Sequence, residues 1–183
     1  MVHNKVIEVG FDQDYLISKS IAAASFSDNF RLVSSRLHYV PEPKDAMIAF
    51  FLSFPKSFKF LLNTREFIAK LLGLKTAPKS KKEAKIEKLY QFKGNIGESI
   101  AIFEVLDKNA HELLTGQKDS HLDFKLSFIV YKNNDVTNLE MATTVLINNK
   151  LGKLYFGIVK PFHKFYTKRI LKRMELNLIN KNW

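Results

Sequence analysis

His121 and Asp123 stand two residues apart in the run HLDFK at 121–125. In a strand, successive side chains alternate between faces, so the two share a side. An imidazole and a carboxylate so placed can orient one another as a general base requires. The same pair also makes an ordinary ion pair on the wet face of a sheet. His163 follows Pro161 by two residues in LGKLYFGIVKPFHK, at the edge of an apolar helical arc. There it is either a half-buried packing residue or a polar anchor. Arg65 projects from the apolar face of LLNTREFIAKLLGLK. Its stem can pack while the guanidinium reaches water. Buried instead, the cation needs a carboxylate or an anionic ligand.

Other chemistries find no support in the sequence. The five histidines, at 3, 38, 111, 121 and 163, show no HxH or HExxH spacing, so no metal site is expected. There is no cysteine, which removes disulfides, thiolate nucleophiles and thiolate ligands. No GxSxG, phosphate-binding loop or GxGxxG stretch occurs, and no cofactor is expected.

The elements that must carry these residues follow from periodicity. Residues 149–174 read as one long amphipathic helix. At about 100° per residue, Leu151, Leu154, Tyr155, Ile158, Phe162, Phe165 and Tyr166 fall on one arc. Lys150, Lys153, Lys160, Lys164 and Lys168 fall roughly opposite. Asn148 or Asn149 can cap the start, and Pro161 should kink the middle. Beyond Arg169 the pattern drifts, with Leu171, Met174 and Leu178 nearer the lysine side.

From residue 96 the period becomes two, with strands near 97–107, 110–118, 120–132 and 137–148. Turns fall at Lys108-Asn109, Lys118-Asp119 and Asn133-Asn134-Asp135, so consecutive strands pair antiparallel. In the third strand Leu122, Phe124, Leu126, Phe128 and Val130 form the greasy face. His121, Asp123, Lys125, Ser127, Ile129 and Tyr131 form the other. A sheet with one apolar face needs a cover, and the long helix supplies it. Upstream, two helices near 44–53 and 56–72 are separated by Pro55, and a strand precedes Pro41. The reading is thus α+β, a curved antiparallel sheet gripping a long C-terminal helix. One domain is expected over 1–183, with an arm at 1–25, in which Val6–Phe11 reads as a short strand or ordered arm and Leu16–Ser25 as a helical stretch weakened by Ser and Ala, and a lysine-rich loop or lid at 75–95.

The net charge is +11, and residues 150–183 carry nine basic residues against one acidic. Such a patch can attract nucleic acid, anionic lipid or acidic protein. The lysine face lacks interleaved aromatics, so no specific nucleic-acid partner is expected. The longest apolar run, Ala46–Leu52, falls short of the ~20 residues of a membrane span. The N-terminus lacks a signal-like apolar core, and a cytoplasmic protein is expected. Nothing in the sequence bears on oligomeric state.

Three stretches resemble one family: LLNTREFIAKLLGLKT (61–76), GESIAIFEVLDKNAHELLTGQKDSHLDFKLSF (97–128) and TTVLINNKLGKLYFGIVKPFHKFY (143–166). The family is that catalogued as domain of unknown function 2867, grouped with START-like, helix-grip proteins. The resemblance runs from about residue 30 to 174. It implies the helix-grip fold and no particular activity.

Such a fold leaves space between sheet and helix. The leading expectation is a module that binds a small hydrophobic or amphipathic ligand there. Phe58, Phe103, Phe124, Phe128, Ile158 and Phe162 are the candidate lining, with Arg65, His121, Asp123 and His163 as polar anchors. One alternative is a small cyclase or hydro-lyase using His121 and Asp123. Another is an interaction protein using its basic helix face.

Overall fold

A computed structural model describes residues 5–54, 87, 89–181 and 183. Strands β1 (Val6–Glu8) and β2 (Phe26–Ser34) are followed by helix α1 (Pro43–Leu52). Then come β3 (Ser99–Ile100), β4 (Phe103–Lys108), β5 (Glu112–Lys118), β6 (Leu122–Asn133) and β7 (Val136–Ile147). A C-terminal helix spans Lys150–Ile179. The strands form one antiparallel sheet in the order β1-β2-β7-β6-β5-β4-β3.

The expected meander is present, with local differences. The strand expected at 97–107 is a small hairpin, broken where Ala101 adopts a φ of 55°. Asn134 at the β6–β7 turn has a φ of 54°, as a tight turn between long strands demands. The Asn109 side chain accepts the amides of His111 and Glu112, both at 2.8 Å, and so turns the chain into β5.

The sheet's inner face builds the main core. Phe30, Leu32, Phe128 and Leu139 pack with Met47 of α1 and with Leu171, Met174 and Leu178 of the C-terminal helix. The helix therefore corrects the expected arc. Its buried residues are Gly152, Phe156, Thr167, Ile170, Leu171, Met174, Glu175 and Leu178. Leu154, Ile158, Phe162 and Phe165 face outward, with Phe165 60% and Leu154 61% exposed. The amphipathic period is real, but the contact is made by a strip roughly a third of a turn further round, so that of the expected arc Tyr155 and Tyr166 still pack inward. Gly152 is one reason, because there the helix lies directly on the backbone of His121. The drift beyond Arg169 is the helix entering the main core. There Asn177 donates to Ser53 Oγ at 3.0 Å, and Lys181 pairs with the buried Asp45 at 2.8 Å.

The outer face is also covered. The N-terminal arm forms β1 within the expected strand stretch and a 3-10 helix, Leu16–Ala23, within the expected helical one, and the helix packs Ile17 on Leu114, Ile129 and Ala142. A distant carboxylate also holds its first turn. Buried Glu112 accepts the amides of Leu16 at 2.6 Å and Ile17 at 3.1 Å, capping the free N–H groups, and also accepts the Ser127 hydroxyl. Beside it, buried Glu140 accepts from Asn29 and Arg31 at 2.6 Å, Tyr131 at 2.8 Å and Tyr15 at 3.2 Å. Burial first, then the Glu140 charge, pushes the Tyr15 phenol far above its usual range. Burial and the bond to Glu140 push Tyr131 up as well. For Arg31, burial disfavours the cation, but the Glu140 bond and charge outweigh it.

Candidate functional site

The sheet and the first turns of the C-terminal helix meet around a second, smaller apolar cluster: Leu122, Val145 and Phe156, with Phe26, Phe124, Ile147 and Tyr155 around them. Within this cluster lies a semi-enclosed cavity of about 150 Å³. Leu122, Phe124, Val145, Phe156 and Val159 make its apolar walls, Ile102 closes it from the β3–β4 turn, and His121, Asp119, Gln117 and Tyr155 supply polar atoms.

Local chemistry positions these groups. Asn149 caps the C-terminal helix, its Oδ1 accepting the Gly152 amide at 3.0 Å. Its Nδ2 donates to the Ser120 carbonyl at 2.9 Å. Asn148 donates through its backbone to the His121 carbonyl at 3.0 Å and through Nδ2 to the Asp119 carbonyl at 2.9 Å. Two adjacent asparagines thus tie the β5–β6 turn to the helix start. A methyl added at Gly152 would stand 1.9 Å from the His121 carbonyl oxygen, so the close approach requires glycine.

His121 is mostly buried, its ring 5.7 Å from that of Tyr155. Its Nδ1 lies 3.3 Å from Asp119 Oδ1, yet the alignment does not make a hydrogen bond. The His121–Asp123 pair is not formed. Asp123 Oδ1 accepts instead from the Asp119 amide and from Asn148 Nδ2, both at 3.1 Å. The reason is where the strand starts: β6 begins at Leu122, so His121 belongs to the turn and strand alternation does not reach it.

The other expected site residues divide. Phe124 lines the cavity. Phe103 sits beside it, 5.2 Å from the Phe124 ring, and also meets Phe50 at 5.8 Å. Phe128 is fully buried in the main core against Phe50 at 5.3 Å and fills space rather than lining it. Ile158 and Phe162 stand on the outer side of the helix, 40% and 46% exposed, and do not line the cavity. Phe58, Arg65 and most of the lysine-rich stretch lie outside the described residues. Leu89 and Phe92 from the end of that stretch are buried in the main core.

His163 faces the sheet. Its Nε2 lies 3.1 Å from Oδ1 of Asp28, a fully buried carboxylate on β2, and its ring stands edge-on to Phe26 at 5.7 Å. Asp28 was not legible as a partner: alternation in FSDNFRLVS gives its face, but nothing local says which helical residue stands over it. Among the described residues no group of three or more His, Cys, Asp or Glu could hold a metal ion. Among them, too, no helix is long and apolar enough to cross a membrane.

These elements define an α+β protein in which an antiparallel sheet closes on a long C-terminal helix. The chain belongs to the family described as "Protein of unknown function (DUF2867)", whose model matches residues 21–170. A crystal structure of CalU16 from Micromonospora echinospora is similar at 12% identity, covering 85% of this chain and 88% of that one with a TM-score of 0.31. No curated protein matches the sequence.

Proposed function

We propose that this chain is a START-like binding module that takes up a small hydrophobic or amphipathic molecule between the sheet and the first turns of the C-terminal helix. One observation carries the reading: an apolar, semi-enclosed space walled by Leu122, Phe124, Val145, Phe156 and Val159. Its size limits the ligand. A cavity of about 150 Å³ suits a molecule the size of a single aromatic ring or a short chain. Most apolar wall and few polar groups is the usual make-up of a small-molecule site. His121 and Tyr155 at the rim orient the ligand, and the tie from Asn148 and Asn149 keeps the rim shaped. Native mass spectrometry of freshly purified protein tests the reading. A mass increment of one small molecule, lost on denaturation, is the expected result. A protein that is ligand-free as purified and also fails to bind toluene in solution would remove the proposal.

A second reading rests on the outer face of the same helix. Leu154, Ile158, Phe162 and Phe165 form an exposed apolar stripe, and Lys150 and Lys153 are exposed farther round the same turns of the helix. This pattern suits an anionic lipid surface, which attracts the lysines while the stripe enters the headgroup region. Co-sedimentation with phosphatidylserine vesicles, abolished by Phe162→Ser together with Phe165→Ser, would support it. Equal binding by the doubly substituted chain would rule the stripe out.

A further inference from the structure

The cavity wall holds a pairing that residue spacing did not single out. Asp119 and His121 both line the cavity. His121 Nδ1 is buried and takes no hydrogen bond among the described residues, and Asp119 Oδ1 lies 3.3 Å from it. An unprotonated Nδ1 would set its lone pair against a carboxylate, which only accepts, and the two would repel. A proton on Nδ1 turns the same contact into an attraction. The neutral ring therefore carries its proton on Nδ1, which leaves Nε2 as an acceptor.

Both partners are held in place. Asp119 Oδ1 accepts the Ser120 amide at 2.6 Å and the Ser120 hydroxyl at 3.2 Å. The Asp119 amide donates to Asp123 Oδ1 at 3.1 Å, so Asp123 holds the turn rather than the imidazole. The His121 carbonyl accepts the Asn148 amide, Gly152 lies directly on the His121 backbone, and the ring stands edge-on to Tyr155. The imidazole is thus fixed between turn and helix with one nitrogen on the carboxylate. Nε2, unlike Nδ1, is not a buried unpaired atom, and it forms no bond within the described residues. It keeps surface of its own on a ring that lines the cavity.

We infer that Asp119 is a positioning residue that fixes the tautomer of His121, and that His121 Nε2 accepts a hydrogen bond from the ligand's hydroxyl or N–H. This rests on the ligand-binding reading above and sharpens it. With Leu122, Phe124, Val145 and Phe156 as walls, the ligand is a small apolar body bearing one donor. Phenols and short alcohols fit this description. A plain hydrocarbon leaves Nε2 without a partner. A carboxylate brings a second acceptor to Nε2 and a second negative charge near Asp119, so acids are disfavoured.

Two measurements on the full chain test this. Long-range proton–nitrogen correlation NMR at about pH 8.5, above the ordinary range of imidazole, reads which ring nitrogen carries the proton. Nδ1–H is expected for His121, and Asp119→Ala should move the proton towards Nε2. A residue that merely shaped the turn would leave it in place. The second measurement compares phenol with toluene, nearly equal in size, by amide-resolved titration at the same pH. Phenol should bind about tenfold more tightly, the worth of one hydrogen bond. The readout is the ratio of the two affinities within each chain, so a general loosening of the cavity cancels. His121→Phe should bring the two affinities level, and Asp119→Ala should reduce the ratio. A proton on Nε2 in the unsubstituted chain, or one that stays on Nδ1 in Asp119→Ala, overturns the positioning role. Toluene binding with no advantage for phenol, or an advantage that survives His121→Phe, overturns the acceptor role. In each of these cases the binding reading stands. If neither molecule binds the unsubstituted chain, the binding reading itself fails and this inference goes with it.

Discussion

Replacing Gly152 by alanine probes how the helix is seated on the sheet. In an ordinary helix the change is favourable by up to about 1 kcal/mol, because alanine loses less backbone freedom. Here the added Cβ would lie 1.9 Å from the His121 carbonyl oxygen and 2.9 Å from its carbon. The gap must open by about 1.1 Å merely to reach 3.0 Å, a spacing that is itself rarely undercut. The neighbour is backbone and cannot swing aside as a side chain would. That carbonyl also accepts the Asn148 amide at 3.0 Å, so moving the turn away strains a bond worth roughly 1 kcal/mol. Overpacking a tight contact costs about 1–3 kcal/mol. The strain exceeds the propensity gain, and Gly152→Ala should destabilise the chain by about 1–3 kcal/mol. Urea unfolding followed by circular dichroism reads this as a lower midpoint with unchanged slope. A midpoint equal to or above that of the unsubstituted chain would refute the close approach of helix and turn.

Three further outcomes follow from the same geometry. Met174→Ala should cost about 2–5 kcal/mol, because the residue is fully buried, while Phe165→Ser should stay within about 0.5 kcal/mol. The opposite order in thermal denaturation would mean that the helix rests on the face opposite to the one seen. Glu112→Gln should cost about 1.5–3 kcal/mol and speed hydrogen exchange at the Leu16 and Ile17 amides, since one of its oxygens becomes a donor facing those N–H groups. Unchanged exchange would show that the 3-10 segment is held by its apolar contacts alone. Tyr15 and Tyr131 have folded pKa values raised above 10.0, so their contribution to stability is full below that pH. It is lost as pH rises through the higher folded values. Stability should therefore fall above pH 10.0, and less steeply in Tyr15→Phe, which has no phenol to ionise. An equal fall in that variant would place the alkaline sensitivity elsewhere.

The sheet was readable because alternation over β6 and β7 is long and the turns carry asparagine at the positions that need it. The long helix was readable as a helix and misread in its orientation. Periodicity finds an apolar arc but does not say where the sheet is. In the first half, Gly152 lets the chain approach along a strip that carries only Phe156 as a large apolar residue. The lower half packs where lysines and leucines interleave, because Leu171, Met174 and Leu178 meet α1 and the sheet together. The 3-10 helix was readable as a weakly helical stretch, but what holds it in place was not. Its anchor is Glu112, nearly a hundred residues away, acting on backbone amides that carry no side-chain signature. Of the residues named from type and spacing, Phe124 and His121 line the cavity, while His163 stands on Asp28 outside that lining. Asp119 was not legible, since its place depends on where β6 begins, and neither was the Asp28 contact with the helix.

The central claim is that a largely apolar, semi-enclosed space exists between β6, β7 and the first turns of the helix. A crystal of the full chain equilibrated under xenon pressure tests this directly, because xenon enters apolar cavities of this size. The account predicts one well-occupied xenon site bounded by Phe124, Val145, Phe156 and Val159. Side chains filling that volume, or xenon binding only elsewhere in the molecule, would contradict it.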